Sequence, residues 1–461
     1  MRTESFPVVR YTLPNGLRVW CQPRSDSESV AAMLVIGAGA RYETLSDSGV
    51  SHFVEHMLFT GTERWTEEEI KEVITRRGGR WNGWTGFEQT TYFVHLAAAD
   101  LDVGLDWLAE LVFHAIFPED KVDKEREVIF QERWGHYGWL INTLDALGFG
   151  YELDRDVQRA LFPGSSFGYR IVGEDSSLER LDRAALWAYY RRYYIPGNAA
   201  LIAVGNASPE RVLDLATEHL SGLESGETPA RPAPPPIPEN GPHQVTVRGP
   251  MATARVQLMT GARTVGWSHP DQWALSVLAE VLTKDLTEEL RYQRGLVYGL
   301  GVHNVYFDDA GYFVIGTTSG RADKDEISRA IEERLEQIRQ GQVSAGAVAE
   351  AKAALQGRWA LSMEDNVSRA QWLADWTFSL DGDEPVPDYP AAIEAVVPED
   401  LPRVLAAYFT PARRYVGLHQ PVVTVAGGAR AIAAVVALGV GVWGGLRLLR
   451  RSRSHRDQEF T

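Results

Sequence analysis

Cysteine is all but missing: Cys21 is the only one among 461 residues. No intramolecular disulfide can form, which suits a reducing compartment and leaves the fold to burial and hydrogen bonding. Positive charge is scarce as well, with 46 Lys and Arg against 62 Asp and Glu, a formal net charge of −16. That balance argues against nucleic acid as a partner, because phosphate binding needs a concentrated basic face. The opening MRTESFPVVRYTLPNG has no apolar run that would serve as a secretory signal.

Long apolar runs are absent until the end of the chain. AIAAVVALGVGVWGGL, residues 431–446, is uncharged between Arg430 and Arg447. As a helix it would span about 24 Å, at about 1.5 Å per residue, against a hydrocarbon core of about 30 Å. Snorkelling arginines at both ends would close the difference, so residues 421–461 are read as a membrane anchor and basic tail. Six Arg and two acids make that tail net +4 and leave the remainder at −20. By the positive-inside rule the basic end stays cytoplasmic, which would put the globular part outside. The start offers no export signal, so the expectation is membrane association through 431–446 with a cytoplasmic globular part.

What the chain has in plenty is proline at one place. Seven of its 23 prolines lie between Pro229 and Pro242, a composition for extended, semi-rigid chain. Residues 226–245 are therefore a linker between a first domain, 1–225, and a second, 246–420.

The two parts repeat one pattern. In the first, strands at Leu17–Pro23 and Val30–Ile36 lead to helices at Val50–Phe59 and Glu67–Arg77, the latter behind a Thr66/Glu69 capping box. A strand pair in GGRWNGWTGFEQTTYFVHLAA follows, then helices Leu101–Ala115 and Glu119–Trp134. After the linker come a strand Val256–Thr260, a helix Gln272–Arg291, strands in VYGLGVHNVYF and GYFVIGTT, and helices Lys324–Gln340 and Ala345–Ser362. The chain is an internal duplication of the α+β class, each domain a mostly antiparallel sheet covered by helices.

The chemistry concentrates in His52-Phe53-Val54-Glu55-His56. Residues i, i+3 and i+4 share one helical face, so both imidazoles can converge on one cation with a carboxylate beside them. Two histidines satisfied in a core are the competing reading. A three-ligand catalytic site needs one more donor, and the helix KVDKEREVIFQERW offers Glu125 and Glu132, seven apart and on one face.

With these residues the chain resembles the pitrilysin/insulinase family of zinc peptidases, the inverted HxxEH zincins. In that family a glutamate ligand follows about 76 residues after the motif, and Glu132 follows His56 by 76. The resemblance implies Zn2+ on His52, His56 and Glu132, Glu55 as general base, and Glu125 as support from outside the ligand set. Asn82-Gly83-Trp84-Thr85 resembles the family's Asn-Ala-x-Thr strand, with glycine replacing alanine. There an extended substrate adds to a sheet edge, which makes Asn82 the candidate contact. Relatives carry an Arg and, seven residues later, a Tyr that hold substrate opposite the metal; Arg291 and Tyr298 match that spacing.

The length resembles the shorter processing-peptidase branch, in which two subunits close a chamber. Both halves being present implies a homodimer with composite sites, cleaving peptides or unfolded leader segments. A non-catalytic scaffold like the respiratory-complex relatives, or the active subunit of a heterodimer, are the alternatives. The second half has no HxxEH, so the duplication is read as metal first, substrate clamp second. Cys21, in an apolar strand, is read as a packing residue.

Overall fold

A computed structural model describes residues 8–134, 153–237, 239–241, 243–249, 255–320, 323–380 and 384–421. The first sheet is built from β1 (Val9–Thr12), β2 (Arg18–Pro23), β3 (Ser29–Ile36), β4 (Arg80–Thr85), β5 (Thr90–Ala97) and β6 (Ala199–Gly205). The second holds β7 (His243–Gly249), β8 (Arg255–Thr264), β9 (Val297–Tyr306), β10 (Gly311–Gly320) and β11 (Arg414–Pro421).

Their orders are β1-β2-β6-β3-β5-β4 and β7-β11-β8-β10-β9. Without β1 the two coincide strand for strand: a parallel pair (β2/β6, β7/β11), then antiparallel pairs out to β4 and β9. The duplication read from the sequence is thus one topology used twice, and β4 and β9 are equivalent edge strands. Both sheets are mostly antiparallel, as expected.

Among the described residues, the helices of the first half are α1 (Val50–Leu58), α2 (Glu67–Thr75), α3 (Leu101–Phe113), α4 (Glu119–Trp134), α5 (Leu153–Leu161), α6 (Asp175–Leu178), α7 (Arg183–Tyr193) and α8 (Pro209–Leu220). Those of the second are α9 (Asp271–Leu286), α10 (Lys324–Arg339), α11 (Ala345–Ser362), α12 (Asn366–Thr377), α13 (Tyr389–Glu394) and α14 (Asp400–Tyr408). The capping box of α2 is formed, with Thr66 accepting from the Glu69 N–H and Glu69 reaching back to the Thr66 backbone. Helix α9 is shorter than the expected Gln272–Arg291. It passes into a π-helical turn, Thr287–Gln293, and that turn carries Arg291.

Each sheet has helices packed on both faces, and the halves exchange helices to do it. Ala32, Leu34 and Ile36 of β3 pack into one core with Phe53, Met57 and Leu105. Ala31, Met33 and Val35, on the other face by alternation, pack against Leu373, Ala374 and Trp376 of α12, which belongs to the second half. In return Leu153, Val157 and Leu161 of α5 bury Met259, Val314 and Tyr415 of the second sheet. Side chains this deeply buried contribute roughly 1.5–3 kcal/mol each, so the seam between the halves is a core of its own.

The proline segment runs over this seam without helix or strand up to residue 237. Prolines bring no N–H to the sheet but keep their carbonyls. Arg41 Nε donates to the Pro232 carbonyl at 2.8 Å, and Arg263 donates to Pro235 and Pro236. Cys21 is fully buried in β2, where burial pushes its thiol up to about 12; it packs, as expected. No helix among the described residues is long and apolar enough to cross a membrane. The anchor expected at 431–446 lies outside the described residues.

Candidate metal centre

Helix α1 starts at Gly49, whose φ of 92° and lack of a Cβ both matter. A Cβ there would stand 2.5 Å from the Gly173 Cα, so a side chain would push away the loop whose Ile171 and Val172 line the neighbouring cleft. Gly49 has no capping side chain. Buried Glu43 supplies the cap: its carboxylate accepts from the N–H of Gly49 at 2.7 Å and of Ser51 at 3.0 Å, and from the Ser51 hydroxyl. A carboxyl group at a helix N-terminus satisfies orphan donors, and here, although burial raises it to about 8, it fixes the helix that carries His52, Glu55 and His56.

The structure brings the three expected ligands together. One donor atom from each of His52, His56 and Glu132 lies within 4.8 Å of the others. Glu132 Oε2 is 3.4 Å from His56 Nε2 and 3.8 Å from His52 Nε2, and the imidazole centroids are 4.7 Å apart. The edge of a tetrahedron with bonds of about 2.0–2.2 Å is about 3.3–3.6 Å, so the donor set and its spacing fit a His2Glu zinc site.

The protonation state of His52 fits as well, and the acidic groups around His56 that favour a proton there favour a metal cation in its place. Burial, with His56 alongside, pushes His52 down to about 3, leaving a neutral imidazole whose lone pair can bind a cation. Burial alone would lower His56 too, but Glu125, Glu132 and Glu55 around it prevail and raise it. Glu125 Oε2 is 3.3 Å from His56 Nδ1, which leaves Nε2 to face Glu132. This is the carboxylate–histidine arrangement that orients a metal-binding ring.

Glu55 is buried beside the pair, and burial raises its carboxyl although Thr85 and His56 act in the other direction. Thr85 Oγ1 donates to Glu55 Oε2 at 2.6 Å. These groups line a cleft of about 530 Å³ shared with Phe59, Trp81 and Asn82. The cleft's wall is β4, the edge of its sheet. Along β4, Trp81, Gly83 and Thr85 face α1, as their contacts with Phe59 and Glu55 show. Asn82 is exposed on the same edge. An added Cβ at Gly83 would sit 3.2 Å from Phe59 and Tyr92, a close fit beneath the strand.

Arg291 and Tyr298 are not among the residues lining this cleft. Tyr298, 81% exposed, lies on β9 beside a separate groove with Gly299, Gly301 and His303. The Arg291 guanidinium stands 5.4 Å from its ring centroid, so the two keep each other's company at the equivalent edge of the second sheet.

Two contributors escaped sequence reasoning. Thr85 closes the Asn-x-x-Thr strand motif, and that was its one signal. Glu43 lies seven residues before Val50 with no spacing rule to mark it.

The description "Insulinase (Peptidase family M16)" matches residues 18–136, and "Peptidase M16 inactive domain" matches residues 180–355. Together they span more than half of the chain. An uncharacterized zinc protease of Bacillus subtilis is 27% identical over 374 residues, covering 78% of this chain and 86% of its own. One from Mycobacterium leprae is 29% identical, covering 79% of this chain and 81% of its own. Among solved structures, a protease from Helicobacter pylori superposes with a TM-score of 0.80 at 23% identity, over 91% of this chain and all of the other.

Proposed function

The chain belongs to the insulinase family, peptidase family M16, and from that premise we propose that it is a zinc-dependent endopeptidase of peptides or unfolded leader segments. The observation that carries this reading is the convergence of His52, His56 and Glu132 beside a buried carboxylate. When bound, the ion would supply a Lewis acid that acidifies water and polarises the scissile carbonyl.

The chain's own residues do the rest. Glu55 accepts the proton of the attacking water and returns it to the leaving amine, a task suited to a carboxyl that burial makes more basic than a free one. Thr85 holds one carboxylate oxygen in place for it. Glu125 fixes the His56 ring. The free edge of β4, with Asn82 on it, takes an extended peptide as an added strand. Main-chain pairing of that kind makes light sequence demands and excludes folded substrates.

That Arg291 and Tyr298 lie outside this cleft's lining, with Tyr298 on a separate groove, supports a homodimer, in which each second-half edge strand β9 faces the metal half of the other copy. Such a pair closes a chamber with two composite sites. Cleavage of unstructured peptides, mapped by mass spectrometry, tests the reaction: it is expected to stop on chelation and to return with zinc. Persistent cleavage in chelator would refute it.

A further inference from the structure

Behind β4, on the side away from the metal cleft, the two halves enclose a second cavity of about 450 Å³. That is within the range of small-molecule sites. Its walls are aromatic, with Trp84, Phe87, Trp267, Phe307 and Phe378. The charged groups along it are mostly matched. Glu88 takes two hydrogen bonds from Arg41 and one from the Asp308 N–H. Asp308 pairs with Arg231 and accepts from Ser379, and the Arg18 guanidinium lies 5.1 Å from the Phe378 ring centroid.

Asp375 is the exception. Its hydrogen bonds come from the amides of Gln371 at 2.6 Å and Gln89 at 3.4 Å, and among the described residues no Lys or Arg pairs with it. Beside it, the Gln371 Oε1 is a buried acceptor without a donor. A carboxyl with no cation beside it and an amide oxygen with no donor, both bordering an aromatic-walled space, call for a group that brings N–H donors and positive charge together. Burial pushes the Asp375 carboxyl up to about 7, as expected where no cation stands beside it. An open groove lined by Met363, Val367 and Trp372 shares Trp84, Gln371 and Asp375 with the cavity, which provides a way in.

We propose that this cavity binds a small organic cation with an apolar body, its ammonium or guanidinium group held by Asp375 and Gln371 Oε1 and its body by Trp84 and Trp267. The site does not depend on the peptidase reading, and it adjoins the strand that carries Thr85.

Calorimetric titration of the full chain with phenethylammonium, with 2-phenylethanol as the neutral control, tests the proposal in chelator, so that neither zinc nor cleavage enters. Saturable one-to-one binding is expected for the amine and at least about tenfold weaker binding for the alcohol. Asp375→Asn, which keeps the shape and the acceptor for Gln371, is expected to weaken the amine at least about tenfold. Gln371→Leu removes the free acceptor, and with it the amide that donates to Asp375, while leaving the carboxyl itself in place; it serves should the first variant fail to fold, and a loss of several-fold is expected. No saturable binding at millimolar amine, equal binding of the alcohol, or indifference to the folded variants would overturn the proposal.

Discussion

The Thr85 hydroxyl donates to the Glu55 carboxylate at 2.6 Å, tying the edge strand of the first sheet to the metal-site helix. On the proposed peptidase reading, a substrate strand added to β4 and the base that serves it would be held by this one hydrogen bond. Thr85→Ala is expected to lower kcat by on the order of tenfold, the scale of one hydrogen bond to a charged group, while bound zinc stays at one per chain. Thr85→Ser should recover most of the loss. Steady-state kinetics on a defined peptide, with metal analysis of the same samples, checks it; an unchanged kcat in Thr85→Ala would refute the positioning role.

Glu125 stands 3.3 Å from His56 Nδ1, so on the proposed reading it would act on a bound metal only through the His56 ring. Outer partners of metal-binding histidines typically account for about 10–100-fold in affinity. Glu125→Leu should weaken zinc by that factor in competition with a coloured chelator, and Glu125→Gln, which keeps an acceptor, by less. Equal affinity in all three proteins would show that His56 needs no such support.

Much of this centre was legible from the chain because it obeys fixed periods. His52, Glu55 and His56 lie on one face by helix geometry alone, and the seven-residue spacing keeps Glu125 and Glu132 together. Joining the two helices needed the family resemblance, since no local rule sets the 76 residues between His56 and Glu132. The fully buried strand Ala199–Gly205 shows no alternation, and without alternation an apolar run does not declare itself a strand. Helix α12 was missed for a related reason. Its burial on several sides, including Ala370, Trp372, Leu373 and Trp376, blurs the stripe of an amphipathic helix, and nothing local says that it packs on the sheet of the other half. The cavity at Asp375 follows from that packing and was equally invisible.

The Asp375 carboxyl, raised to about 7 by burial, makes stability depend on pH with a definite sign. The folded state binds this proton more tightly than the unfolded chain, whose aspartates titrate near 3.9. Stability from this group is complete below the unfolded value and is lost as pH climbs through about 7. Each unit of difference corresponds to about 1.4 kcal/mol, a few kcal/mol at the most. Asn at this position has no proton to lose, so the urea-unfolding free energy of Asp375→Asn should differ from the parent's by a constant offset below about pH 4, gain on it between about pH 4 and 7, and run parallel to it again above about pH 8. A constant difference across the whole range would mean that Asp375 titrates as an ordinary carboxylate.

If two copies build each active site, inactive variants should repair one another. A Glu55→Gln chain keeps Arg291 and Tyr298, whereas an Arg291→Ala chain keeps the base. In a mixed dimer one site carries both lesions and the other carries neither. Random reassociation makes half of the dimers mixed, so about a quarter of the parent's activity should return. The readout is peptide cleavage before and after the two purified variants are mixed under conditions that let dimers exchange, with size measured alongside. Activity fixed at the sum of the separate variants, despite demonstrated exchange, would show that each chain works alone and that the Arg291–Tyr298 edge serves some other contact.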